Sequence, residues 1–277
     1  MNRPLCTFPG RYGDIGWALP TARAIAEANG GQVDLQIAGE FSSLVPLLQE
    51  AAPYLGEVWA EPSWAMVPPE EWRAPICQGR GEGRTVIHLG YRSWPEMPLA
   101  QWIYTGVKAS YGSLAMGPLE LDRPWLTAEP FPTAKPVWVD GWTECWFELK
   151  VGLRQLLYNR FESRLRTKQY PINLSTSGRW EEEDGVIPTT WRYTARWIKT
   201  GPVFLTDCSA MHVLAVALGT PVLLVEPMEA RWNPIFYPVG MDGPQVTVVK
   251  GLDGKPTWDS RHVGDALQPY VEAACAS

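Results

Sequence analysis

Short apolar runs alternate with helix-patterned segments along this chain, and that alternation restricts the fold more than any other feature of the sequence. Leu5 to Phe8 is an apolar run, "GRYGDIG" (10–16) reads as a glycine-rich loop, and Ala18, Ala22, Ile25 and Ala26 then recur at helical spacing. "VDLQIA" (33–38) reads as a second strand, "SSLVPLLQEA" as a second helix capped by Ser42 or Ser43, and "TVIHLG" (85–90) as a later buried strand. Strands that alternate with helices imply a parallel sheet covered on both faces.

The pattern breaks once. Between 124 and 136, "PWLTAEPFPTAKP" holds four prolines, and proline neither continues a helix nor sits in a central strand. A linker is expected there. Beyond it the alternation restarts with "VWV" (137–139), a helical stretch over about 143–166, "YPINLST" as a strand and "TTWRYTARWIKTG" as a helix. "PVFLT" as strand, "SAMHVLAVALG" as helix, "PVLLVEP" and "TVVK" as strands and a closing helix over 263–274 complete the chain. The expected fold is therefore α/β, with two Rossmann-like domains, 1–134 and 135–277, whose parallel sheets face a central cleft. At 277 residues there is enough chain for both cores.

Composition excludes several functions. A formal charge of -6 with 45% hydrophobic residues is that of an ordinary globular protein, without the basic excess of a dedicated nucleic-acid coat. No apolar run approaches the roughly 20 residues that span a bilayer, and the first ten residues lack a basic start followed by an apolar stretch. A cytoplasmic protein is expected. Cys6, Cys77, Cys145, Cys208 and Cys275 are odd in number and scattered, which argues against a disulfide framework and a zinc site. His88, His212 and His262 form no metal-binding spacing, so no metal is expected. "EEED" (181–184) reads as a solvated turn. Fifteen tryptophans are the compositional outlier, and their faces suit a core or the stacking of sugars and bases. Oligomeric state has no signature in the sequence.

"TDCSAMHVLAVALGTPVLLVEP" (206–227) puts a small-residue turn between a strand and a helix. The first turn of a helix leaves unpaired N–H groups and a positive partial charge, so a diphosphate is held there by backbone alone if side chains are small. Cys208, Ser209 and Ala210 are small, while Asp207 or Ser209 would equally serve as a plain helix cap.

The same run resembles the donor-site signature of the heptosyltransferase-type glycosyltransferases of the GT-B fold: an Asp, small residues, a His, then an Ala-rich helix ending Leu-Gly-Thr-Pro. Asp207, Ser209, His212, Ala215, Ala217, Leu218, Gly219, Thr220 and Pro221 fall on the pattern, with Ala210 and Met211 standing where glycine and proline are usual. "YGDIGWALPTARAI" resembles a second family motif through Gly13, Asp14, Leu19 and Pro20, and "VIHLGYRS" a third through Arg92 and Ser93. Together the three motifs cover most of the chain in family order.

This resemblance implies an inverting transfer of a sugar from a nucleotide diphosphate sugar, as co-substrate, to an acceptor hydroxyl, with no cofactor and no required metal. The sequence contains no Asp-x-Asp, so leaving-group charge would fall to helix N–H groups and basic side chains. By motif position Asp14 is the base, and its residue-level alternative is the N-cap of a helix over 15–28. The donor side comprises Asp207, Cys208, Ser209, Ala210, Met211, His212 and Glu226. His212 is expected at donor phosphate or ribose or else as a buried structural imidazole, and Glu226 at the ribose hydroxyls or else as a surface carboxylate. The acceptor side comprises Gly13, Trp17, Tyr91, Arg92, Ser93 and Trp94, with Trp142 and Trp146 as further aromatic candidates.

Acceptor identity stays open between a saccharide of the lipopolysaccharide type and DNA carrying hydroxymethylated pyrimidines, the acceptor of phage glucosyltransferases that share the GT-B fold. The DNA reading comes from 150–168, where Lys150, Arg154, Arg160, Arg164, Arg166 and Lys168 face one acid, Glu162, with Tyr158 and Phe161 interleaved. A solvated helix face and a donor-phosphate contact are the alternatives for that stretch. A DNA acceptor would have to bring its base hydroxyl to the site by flipping the nucleotide. Rival readings of the whole chain are a GT-B-fold sugar-nucleotide epimerase, which needs several acidic and histidine residues around the sugar where this chain offers few histidines, and a binder of nucleotide sugars or polyanions without catalysis.

Overall fold

The computed structural model describes residues 3–62, 80–90, 99–107, 111, 114, 119–121, 138–140, 172–175, 186–188, 191, 195, 198, 199, 203–206, 210–225, 246–249 and 260–276. The chain divides into two compact units, Met1–Leu121 with Pro234–Gly243, and Asp122–Asn233 with Pro244–Ser277.

The first unit is built on strands β1 (Leu5–Phe8), β2 (Val33–Ala38), β3 (Leu55–Glu61) and β4 (Val86–His88), with helices α1 (Tyr12–Ala28), α2 (Val45–Ala51) and α3 (Leu99–Gly106). All three strand pairings are parallel, in the order β3-β2-β1-β4. Every residue of β1 and β2 is buried, as expected of inner strands of a parallel sheet with both faces covered. The bounds of β1 and β2 are those read from the apolar runs, whereas β3 and α3 went unassigned in the sequence.

The glycine-rich segment expected as a loop is instead the first turn of α1. Two glycines there lower helix propensity by about 1 kcal/mol each, but burial of Ile15, Trp17, Ala18 and Leu19 returns more than that. The turn is also closed at its start: Arg11 is extended (φ -71, ψ 173), and the Asp14 carboxylate three residues on accepts its backbone N–H at 3.2 Å. This is the returning half of a capping box. The expected helix capped by Ser42 or Ser43 also shifts. A 3-10 turn (Gly39–Leu44) precedes α2, whose N-cap is Leu44 with no side-chain hydrogen bond. Ser43 Oγ is engaged elsewhere, 2.8 Å from Tyr12 Oη.

Two polar devices hold the first sheet. Asp34, buried at the amino end of β2, receives Arg3 at 3.3 Å, Arg84, and the backbone N–H of Glu57 at 2.8 Å. The last bond falls where the β2–β3 register shifts between Val33 and Leu35, so a side chain replaces a missing rung of the ladder. On the other edge of β3, Gln49 of α2 donates to Gly56 O at 2.7 Å and accepts from Val58 N–H at 3.0 Å. One amide thus satisfies strand groups that an edge would leave open. Cys6 is fully buried and its thiol is pushed up to about 12, by burial first and the Asp34 charge second.

The second unit contains β5 (Trp138–Asp140), β6 (Ile172–Ser175), β7 (Val186–Pro188), β8 (Phe204–Thr206), β9 (Val222–Val225) and β10 (Val246–Val249), all parallel, in the order β10-β9-β8-β5-β6-β7. Helices α4 (Ala210–Ala217) and α5 (Ser260–Ala276) belong to it, and Trp191, Ala195, Ile198 and Lys199 are helical. Most of these elements coincide with the apolar runs, and the proposed 143–166 helix and the 181–184 turn lie outside the described residues.

The Leu-Gly-Thr-Pro end of α4 has a physical account. Gly219 sits at φ +73, its N–H reaches Val216 O at 3.1 Å, and Thr220 N–H reaches Ala215 O at 3.0 Å. These are the two bonds of a Schellman stop, whose left-handed residue is usually glycine. Thr220 Oγ1 then donates to Ile198 O at 3.1 Å, and Lys199 Nζ donates to Leu218 O at 2.5 Å. The end of α4 and the helical residues Ile198 and Lys199 therefore satisfy carbonyls of each other.

Candidate functional site

In open parallel sheets, ligands bind beyond the carboxyl ends of the strands, where the strand order reverses. In the first unit the reversal lies between β1 and β4, because β2 and β3 follow β1 on one side and β4 lies on the other. In the second it lies between β5 and β8. In the first pair candidate residues come after both strands, 9–14 after β1 and 91–94 after β4, and in the second pair they come after β8, at 207–212. This is a topological result that the strand order supplies and the motifs alone did not.

At the carboxyl end of β1 the described residues form a packed turn. Asp14 is half-buried, and burial holds its carboxyl above the ordinary carboxylate range; the Arg11 N–H bond and the Arg11 charge pull the other way without cancelling it. Tyr12 packs edge-on against Phe41 with centroids 4.7 Å apart, and its hydroxyl lies beside Ser43 Oγ and Glu40 O. This ties the start of α1 to the turn after β2. Across the strand reversal, His88 is the register partner of Thr7. Its Nδ1 lies 2.6 Å from the fully buried Thr7 Oγ1, while the ring itself is exposed. His88 was read only as a histidine outside any metal spacing, and its place at the strand end becomes visible only with the pairing.

Gly13 and Asp14 lie in the first turn of α1. Trp17, expected toward the acceptor, is 2% exposed and belongs to the core, because a helix that starts at Tyr12 turns position 17 inward. Tyr91, Arg92, Ser93 and Trp94 lie outside the described residues, as do Trp142, Trp146, Arg154, Arg160, Arg164, Arg166 and Lys168.

On the donor side, Asp207, Cys208, Ser209 and Glu226 also lie outside the described residues. Ala210 opens α4 and Met211 follows it. His212, in the same first turn, is fully buried, and burial lowers its imidazole to about 3. It is therefore neutral at physiological pH, and the structure encloses the ring rather than presenting it. Among the described residues no group of three or more His, Cys, Asp or Glu side chains is gathered as a metal ion requires, and no helix is long and apolar enough to cross a membrane.

No family model matches the sequence, and no curated protein is significantly similar to it. Solved structures do match. The E. coli ADP-heptose LPS heptosyltransferase II aligns with TM-score 0.64 over 98% of this chain and 99% of that one, at 12% identity. A family 9 glycosyltransferase from Veillonella parvula aligns with TM-score 0.61 over 96% and 89%, also at 12% identity. E. coli heptosyltransferase WaaC, solved with ADP, aligns with TM-score 0.59 over 97% and 100%, at 12% identity. The fold is that of these glycosyltransferases. It agrees with the α/β class and parallel sheets expected from the alternation, and identity this low extends the likeness no further than fold.

Proposed function

We propose that this protein is a glycosyltransferase that moves a sugar from a nucleotide diphosphate sugar to an acceptor hydroxyl with inversion at the anomeric carbon. The observation that carries the reading is Asp14: a carboxyl raised by burial, on the turn leaving β1 beside the strand reversal, in a fold shared with sugar-transferring enzymes. A raised carboxylate is a better proton acceptor than a solvated one. In the reaction Asp14 takes the acceptor O–H proton, the acceptor oxygen bonds to the anomeric carbon, and the bond from that carbon to the diphosphate breaks, its electron pair leaving with the nucleoside diphosphate.

The second unit carries the donor in this reading. Backbone N–H groups at the start of α4, around Ser209, Ala210 and Met211, would meet the diphosphate charge, with Asp207 and Cys208 shaping the turn and Glu226 at the ribose. A neutral, enclosed His212 fits a supporting place beneath that turn. Absence of Asp-x-Asp from the sequence favours a metal-independent reaction. The acceptor is read as a saccharide, with Gly13, Tyr91, Arg92, Ser93 and Trp94 on its side, because the matched structures include an enzyme named as an LPS heptosyltransferase.

Release of nucleoside diphosphate from a panel of ADP- and UDP-sugars tests the reading, with an inner-core saccharide or hydroxymethylated DNA added as acceptor. Release that rises with saccharide supports it. Release that requires the DNA would move the acceptor to nucleic acid and give a role to the basic stretch 150–168. No release from any donor would overturn the transferase reading.

A further inference from the structure

Gly10, in the turn between β1 and α1, falls on none of the motifs. Its φ is not positive, so the backbone there is open to any L residue. The restriction is one of space. A Cβ built on Gly10 would lie 2.7 Å from Asp14 Cβ and 2.8 Å from Phe8 Cζ, and closer still to Phe8 Cε1. Real side chains do not approach so closely. The absent side chain is the volume into which the base of the Asp14 side chain and the tip of the Phe8 ring are packed.

We infer that Gly10 is the positioning residue for Asp14: by carrying no side chain it lets the Asp14 side chain lie back across the turn, with its carboxyl bonded to the Arg11 N–H. This deepens the transferase reading and rests on Asp14 being its base. Two features of Asp14 then share one cause. Its orientation is set by the 3.2 Å bond to Arg11 N–H, and its burial by the close approach over Gly10. Arg11 is also the charged group that acts on the carboxyl. An added methyl would lift Asp14 outward, lose the bond and restore water around the acid.

The test uses the full chain. NMR titration of carboxyl carbons, with Asp14 assigned by its loss in Asp14→Asn, reads the seat without reference to any substrate. In Gly10→Ala the Asp14 titration should move down toward the ordinary range, since the largest influence on it, burial, is relieved. Turnover should fall about 100-fold with donor KM unchanged, the penalty expected for displacing a reacting group by about 1 Å. Because the same methyl also meets Phe8, Gly10→Ala combined with Phe8→Leu removes the ring tip and keeps only the Asp14 conflict, with Phe8→Leu alone as control. A folded variant whose Asp14 titrates as in the unaltered protein overturns the inference. Absence of nucleotide release from the unaltered protein would instead overturn the transferase reading, leaving the titration to decide the seat.

Discussion

The Asp14 carboxylate accepts the backbone N–H of Arg11 at 3.2 Å, so the side chain read as a general base also fastens the first turn of its own helix. The cap expected of this residue, at the start of a helix over 15–28, is not the one found: the helix begins at Tyr12 with Arg11 as its N-cap, and Asp14 fastens the turn from the third helical position. A cap uses one carboxylate oxygen, and proton transfer needs only the other.

Asp14→Asn separates the two tasks. An asparagine carbonyl oxygen still accepts from Arg11 N–H, so helix content should stay close to that of the unaltered chain. The amide cannot take a proton, and turnover should fall about 100-fold or more. Nucleotide release by the purified variant at the unaltered rate would remove Asp14 from the chemistry.

Stability should depend on Asp14 through pH, with a definite sign. Its folded carboxyl titrates above the ordinary value, so the native state binds that proton more tightly than the unfolded chain. The stability this gives is fully present below the unfolded value of about 3.9 and is lost as pH rises through the folded value. Asparagine carries no such dependence. Urea midpoints should therefore favour Asp14→Asn over the unaltered protein at pH 7, with the gap closing below about pH 4. A gap that is the same at both pH values would contradict the raised carboxyl.

The sequence made the strands legible where burial is complete. Leu5–Phe8 and Val33–Ala38 are apolar or buried throughout, and their limits match the runs. β3 escaped because "LGEVWAE" mixes two glutamates and a glycine into an edge strand whose burial is partial, so no clean period of two survives. The start of α1 was misjudged because glycine propensity was weighed without the packing of Ile15 and Trp17. At the site, motif spacing led to Asp14 and the sequence already offered a buried imidazole as one alternative for His212, but the need for Gly10 depends on the Phe8 ring and the Asp14 side chain packed over it, and no local pattern carries that information.

Asp34 should matter for stability and not for chemistry. It lies at the amino end of β2, away from the strand ends that lead to Asp14, with its side chain 7% exposed and that of Arg84 13% exposed. Removing one partner of such a pair leaves a buried charge, which costs about 3–5 kcal/mol. Asp34→Ala should show that loss in urea unfolding, while turnover per folded molecule stays unchanged. A loss below about 1 kcal/mol would show that the Arg84 charge finds water instead.

Gln49 gives the sharpest check on how the sheet is closed. Its amide donates to Gly56 O and accepts from Val58 N–H, a reading that allows only one orientation of the amide. Gln49→Leu removes both bonds, and with Val58 5% exposed the expected loss is about 1–3 kcal/mol, accompanied by concentration-dependent association through the opened edge. Gln49→Glu should be worse at pH 7, because an ionised carboxylate accepts from Val58 N–H but faces Gly56 O with no proton to share. Below about pH 4.3, the ordinary glutamate value, the protonated acid regains a donor. Its deficit in thermal midpoint should then shrink, whereas that of Gln49→Leu relative to the unaltered chain should not. Equal behaviour of the two variants across pH would mean that the Gln49 amide does not bridge β3 as described.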